Sequence, residues 1–163
     1  MERITDTHVF FWGSDFSNWN DCRFKYKDLH FYNTEQAFMW EKAVFFGDME
    51  KAKKILETPN PATCKALGRK VQGFNAEQWM INSFIFMVAV NYCKFSQNKK
   101  LKKILLSTED KVIVEASPYD KIWGIGLHWK DDDCLDETKW QGMNLLGKAL
   151  MHVRDELKVE AEE

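Results

Sequence analysis

Two short stretches hold the residue types that could do acid–base or electrostatic chemistry. The first is "NTEQ", residues 33–36, at the head of "NTEQAFMWEKAVFF". If Asn33 caps a helix, Glu35 falls in the first turn, where backbone N–H groups lack partners and the helix dipole favours negative charge. Such a carboxylate either does no more than stabilise the helix start, or is held ionised there as a base, a nucleophile or a stabiliser of positive charge. The second stretch is "EASPYDKIWGIG", residues 115–126. Pro118 forces Ser117 to be extended, Gly124 and Gly126 permit sharp turns or close approach of backbone to a ligand, and Asp120 stands three positions before Trp123. That loop is either a tight turn around a buried tryptophan or a binding loop offering an acid and a flat ring.

Cationic groups come from two further places. Arg69, in "LGRKV", follows Gly68 near a helix end, and "KFSQNKKLKK", residues 94–103, is a basic run. Arginine forks onto phosphate and lysine supplies point charge, although a solvated helix face is the simpler account of the run. Other chemistries lose their support. The four cysteines (Cys22, Cys64, Cys93, Cys134) form no CxxC pair, so reduced thiols are expected rather than a zinc site or disulfides. "DDDCLDE", residues 131–137, lacks the glycine and spacing of a calcium loop, and the four histidines show no paired-ligand spacing. No metal site is expected. No GxSxG, GxGxxG or Walker pattern occurs.

The elements that must position these residues follow from periodicity. "VFFW" (9–12) and "FKYKDLHFY" (24–32) read as short strands joined by a polar turn, a small sheet or hairpin opening the fold. From Thr34 the period turns helical, with Phe38, Lys42 and Phe45 recurring on one face. "DMEKAKKILE" reads as a second helix stopped by "TPNP", and Pro61 opens a third that ends near Gly68. "NAEQWMINSFIFMVAVNYCKF" is apolar on nearly all sides between Trp79 and Tyr92, which predicts a central buried helix. "QNKKLKKILLS" is a short basic-faced helix, "KVIVEAS" a strand, and "WQGMNLLGKALMHVRDELKV" a closing amphipathic helix before a tail, 159–163, expected to fray. The fold class is mainly α (α+β).

With 163 residues and no composition break, the chain is expected to form a single domain with a real core. Seven Trp and twelve Phe supply that core, with some rings free to stack on a flat ligand. A net charge of −2 argues against a generally basic nucleic-acid binder. "MERITDTHVFFWG" lacks an apolar leader segment and "FIFMVAV" (84–90) is too short to span a bilayer, so the expectation is a cytoplasmic protein with no membrane association.

Six segments in order resemble the YbiA-like or NADAR family, over about Val9 to Leu157: "FSNW", "TEQAFMWEKAVFF", "KALGRKV", "KFSQNKKLKKILLST", "EASPYDKIWGIGL" and "WQGMNLLGKALMHVR". The resemblance implies a mostly helical fold and a cofactor-free N-glycosidase acting on ribosylated bases. Its substrates would be a small-molecule ribosyl nucleotide, an early riboflavin-pathway intermediate, or ADP-ribosylated guanine in nucleic acid. By motif position it implies Glu35, Asp120 and Trp123 as catalytic residues. It implies Arg69, Asn98 and Asn144 as substrate contacts, with Gly124 in the same binding loop. Gln36 and Ala37 depart from relatives that often carry histidine and tyrosine there, which bears on base contacts. A non-catalytic ADP-ribose or nucleotide-binding module is the alternative, and a partner-binding helical protein a third.

Overall fold

Asn33 holds an extended backbone, and its side chain accepts a hydrogen bond from the Gln36 N–H at 2.8 Å, so a helix begins at Thr34 as the capping pattern predicts. Asn60 and Asn75 do the same for two later helix starts, accepting from Thr63 N–H at 3.1 Å and Gln78 N–H at 2.9 Å. The computed structural model describes all 163 residues. Its strands are β1 (Glu2–Ile4), β2 (His8–Phe11), β3 (Phe24–Tyr26), β4 (Leu29–Phe31) and β5 (Val112–Glu115). The helices are α1 (Thr34–Phe45), α2 (Met49–Leu56), α3 (Pro61–Gly68), α4 (Ala76–Ser96), α5 (Lys99–Leu106) and α6 (Leu145–Glu162). The fold is mainly α with a few short strands. None of the helices is long and apolar enough to cross a membrane.

The chain packs as two units: Asn18–Gln97, and Met1–Ser17 together with Asn98–Glu163. In the middle unit α1 packs against α2, α3 and α4. β3 and β4 form their own antiparallel hairpin, Phe24 opposite Phe31, closed by Lys27 and Asp28 at φ 50° and 62°. The sequence reading takes 24–32 as one strand. The two positive φ values split it, in a two-residue turn that lacks the usual Asn-Gly signal. Glu41 of α1, 2% exposed, anchors the hairpin by accepting from Tyr26 Oη at 2.5 Å and Lys27 Nζ at 2.6 Å on the same oxygen. Burial, then the bond to Glu41, pushes the Tyr26 phenol well above its ordinary range.

The prediction that α4 is buried all round needs correction. Its inner face is Ser83, Met87, Val90, Asn91, Lys94 and Phe95, while Ile81 and Ile85 are 65% and 67% exposed. An all-apolar stretch has no period to mark a face, and the side that packs here is the one carrying polar groups. One of these, Asn91 Nδ2, donates to the Met87 carbonyl at 3.0 Å.

The other unit is built from both ends of the chain. β2 is the middle strand of the order β1-β2-β5, antiparallel to β1 and parallel to β5, with Phe10 opposite Val114. The expected pairing of 9–12 with 24–32 is therefore replaced. A parallel partner needs a long crossover, and the whole middle unit lies between β2 and β5 in sequence. Phe10, Val114, Ala116, Ile125, Leu127 and Cys134 form a core cluster, with Trp129 and Trp140 packed against it. α6 lies on β5, and α5 packs on α6. The acidic stretch after Asp131 forms two 3₁₀ turns, Asp132–Leu135 and Glu137–Lys139. α6 starts at Leu145, later than its sequence pattern, because Asn144 is left-handed at φ 52°, and it runs on to Glu162 through the stretch expected to fray.

Candidate active site

Glu35 lies in the first turn of α1 and is 8% exposed. Its N–H donates to the Asn18 carbonyl at 2.9 Å, which ties Asn18 to the helix start. Asn18 Oδ1 and Thr34 Oγ1 are buried beside it and have no hydrogen-bond partner. Buried polar atoms of this kind are costly unless something bonds to them, and they flank the one acid of the first turn.

Gln36, fully buried, does different work from its neighbour. Its Oε1 accepts from Tyr32 N–H at 2.8 Å, and its Nε2 donates to the carbonyls of Ile55, Leu56 and Thr58 at 3.1, 3.2 and 2.9 Å. It brackets α1 to the end of α2. The departure from the family pattern at this position thus falls on a structural residue rather than on a base contact.

α3 borders the same end of α1. Cys64 donates Sγ–H to the Thr58 carbonyl at 3.1 Å. Burial, and then the negative charge of Glu35, push its thiol up to about 12. The folded chain therefore suppresses the thiolate, whereas the unfolded chain ionises near the ordinary 9.0. This stabilises the fold below the ordinary value and is lost as pH rises toward the folded one. Cys64 is expected to resist iodoacetamide at pH 8 in the native protein and to be alkylated in denaturant, read by peptide mass spectrometry. Rapid native labelling would contradict the burial described.

One turn on, Gly68 packs against Met39 of α1, and Arg69 caps the C-terminus of α3 at an exposed position. Lys42, used in the sequence reading only to trace a helical period, is half-buried two turns after Glu35. Burial lowers its pKa, the charge of Glu35 raises it and that of Arg69 lowers it again. Glu35, Arg69, Lys42 and Cys64 are thus one neighbourhood. The spacing i, i+7 from Glu35 was the available signal for Lys42.

In the other unit Asp120, Trp123, Gly124 and Asn144 are brought together. Asp120 Oδ1 accepts from the N–H groups of Ile122 and Trp123 at 2.9 and 2.8 Å, and its carbonyl accepts from Gly126 N–H at 3.1 Å. The carboxylate thereby shapes the turn that carries the half-buried Trp123 ring. A Cβ on Gly124 would lie 2.9 Å from the Asp120 carbonyl oxygen and 3.0 Å from that of Glu115. The close approach expected of Gly124 toward a ligand is made to the chain's own backbone. Asn144 Oδ1 accepts from Glu115 N–H at 3.0 Å and its Nδ2 donates to the Ile113 carbonyl at 2.9 Å. With 2% exposure, it braces β5 rather than presenting an amide to a ligand. Asn98 is the residue before α5, where its carbonyl accepts from Lys102 N–H at 2.8 Å.

Comparison with known proteins matches this arrangement to one family. A NADAR domain model matches residues 10–158. An N-glycosidase of Acanthamoeba polyphaga mimivirus is 44% identical over 93% of this chain and 97% of its own length. The protein irg-1 of Caenorhabditis elegans is 46% identical over 84% of this chain and 66% of its own. The NMR structure of the E. coli protein YbiA superposes with a TM-score of 0.80 at 25% identity, covering 99% of this chain and 90% of that one. With a domain model spanning nearly its whole length, the chain belongs to the NADAR domain family.

Proposed function

We propose that the chain hydrolyses the N-glycosidic bond between a ribose and a base, with Glu35 as the principal catalytic carboxylate. The observation that carries this reading is a nearly buried acid at a helix N-terminus, flanked by the unpartnered Asn18 Oδ1 and Thr34 Oγ1. A relative named N-glycosidase, matched over almost its full length, supports the reaction class. As the C–N bond breaks, positive charge develops on the sugar C1 and negative charge on the departing base. Glu35, favoured as carboxylate by the dipole of α1, stabilises that cation and directs water onto it. The water oxygen bonds to C1, the base leaves with the bonding electron pair and takes up the proton that the water gives up, and the products are a ribose derivative with a C1 hydroxyl and a base relieved of that sugar. The reaction consumes only water, so no cofactor is required.

Asp120 is assigned a positioning role for Trp123, through the backbone N–H it holds, and the half-buried Trp123 ring offers a face on which a flat ligand can stack. Arg69 contacts substrate phosphate. The substrate is an aminopyrimidine riboside phosphate of the riboflavin pathway or an ADP-ribosylated guanine in nucleic acid. Incubation with each, followed by mass spectrometry, decides: either free aminopyrimidine with ribose 5-phosphate from the first, or ADP-ribose with unmodified guanine left in the strand from the second, is expected. Binding of ADP-ribose by calorimetry without base release from either would instead establish a non-catalytic module.

A further inference from the structure

β2 and β5 run parallel with Phe11 opposite Glu115, and beyond that pair the Ala116 N–H still donates to the Phe11 carbonyl at 2.8 Å. The chain therefore leaves both strands at the same edge of the sheet. Trp12 follows β2 directly, and the loop carrying Tyr119, Asp120 and Trp123 follows β5. In open sheets with parallel strands, ligands commonly lie beyond the carboxyl ends, where the strands hold successive loops side by side.

What meets at this edge is a row of rings. Between centroids, Trp12 lies 5.6 Å from Tyr119 and 5.2 Å from His128, and His128 lies 5.0 Å from Trp129. Local bonds hold two of them: Tyr119 N–H donates to Ser117 Oγ at 3.3 Å, and His128 Nδ1 accepts from Lys130 N–H at 3.0 Å. Trp12 and His128 are half-buried, but Tyr119 is 84% exposed, so its contact with Trp12 covers only a small part of the ring. A tyrosine this open to water adds little to a core. Lys121 and Lys130 are exposed nearby, and Lys130 Nζ lies 5.4 Å from the Trp129 centroid. The carboxylates that follow Lys130 are engaged elsewhere, Asp132 with Arg3 at 3.0 Å and Asp133 with Lys139 at 3.3 Å. An exposed flat ring beside such ammonium groups suits a flat ring that is itself joined to an anion. A base in a nucleic-acid strand has that form, and its face stacks on tyrosine whatever the sequence. The base must be unpaired, because a duplex already covers both of its faces.

We propose that Tyr119, backed by Trp12, which His128 supports in turn, is a stacking platform for an unpaired base of a nucleic-acid strand, one that flanks the base taken by Trp123. This rests on the reading of Trp123 as the face offered to the base that is released. Asp120 stands between the two rings in the chain and accepts from the Ile122 and Trp123 N–H groups at 2.9 and 2.8 Å, so a single turn carries both. The platform favours a base within a strand over a free riboside phosphate, which has no second base to offer. A chain of net charge −2 then holds a strand chiefly through ring contact, with few contacts to phosphate.

Fluorescence anisotropy with a labelled, unmodified DNA single strand of about 12 nucleotides tests this without turnover. Wild type should bind the single strand and should bind the same sequence as a duplex much more weakly. For Tyr119→Ala, Kd for the single strand is expected to rise roughly 5–100-fold, as for one lost base stack. Tyr119→Phe keeps the ring and should bind like wild type, and the exposed position means that both variants should melt where wild type does. With two lysines in reach, log Kd should climb with log salt at a slope of no more than about 1.4, and Lys121→Gln should lower that slope by about 0.7. Calorimetry with ADP-ribose is the control, on which Tyr119→Ala should match wild type. If wild type releases no base from any substrate, the glycosidase reading fails, while strand binding that depends on the Tyr119 ring still decides the platform. The platform is overturned by wild type that leaves the single strand unbound or binds duplex equally well, or by Tyr119→Ala that binds the strand like wild type. A loss on ADP-ribose equal to that on the strand would also overturn it, because the occupant would then be the adenine of a free nucleotide.

Discussion

Glu35→Gln is expected to lower kcat for base release roughly 10²–10⁴-fold while leaving substrate affinity close to wild type. The substitution keeps the shape of a nearly buried side chain and removes only its charge. The backbone bond from residue 35 to the Asn18 carbonyl does not depend on the side chain, so the helix start should survive. A helix-stabilising acid in the first turn contributes about 0.3–1 kcal/mol at most exposed sites, which would appear as a small loss of stability with turnover intact. A carboxylate that meets developing charge on the sugar would show the reverse, with unchanged thermal stability and a collapsed kcat. Single-turnover kinetics beside a thermal melt separates the two, and normal turnover in the glutamine variant would remove Glu35 from the mechanism.

Asn144→Ala is expected to lower stability by about 3 kcal/mol. It removes both side-chain bonds to β5, leaving buried backbone groups without partners at about 1–3 kcal/mol, and asks alanine to hold a left-handed conformation at about 1 kcal/mol more. For a chain of this size that corresponds to a fall of roughly 6–12 °C in Tm. Asn144→Gly should recover the conformational part only. Calorimetric melting of the two variants checks this. A ligand contact would instead leave Tm unchanged and raise KM, a pattern that would contradict the bracing role drawn from Glu115 N–H and the Ile113 carbonyl.

The parts of the fold legible in advance are those made by neighbours in the chain. The asparagine caps at 33, 60 and 75 each bond an N–H three residues on, so α1, α3 and α4 start where the local pattern puts them. The short basic helix and the strand "VIVE" are likewise local. Failures cluster where partners are distant. Nothing near residues 8–11 shows that their neighbours are β1 and a parallel β5 from the far side of the middle unit. The exposed side of α4 was illegible because a uniformly apolar surface has no preferred face until something packs on it.

The candidate site divides along the same line. Residue order alone marked Glu35 as a first-turn acid and Asp120 and Trp123 as members of one tight loop, because a helix cap and a Pro/Gly-bounded turn are short-range structures. Three-dimensional packing then sorted the neighbours. It turned Gln36 toward α2, set Asn144 against β5, brought Cys64 beside Glu35 and closed α3 onto α1 through the contact of Gly68 with Met39. Those assignments depend on which surfaces meet, and the meeting of two helices is set by side-chain fit across the interface rather than by any spacing along one strand of sequence.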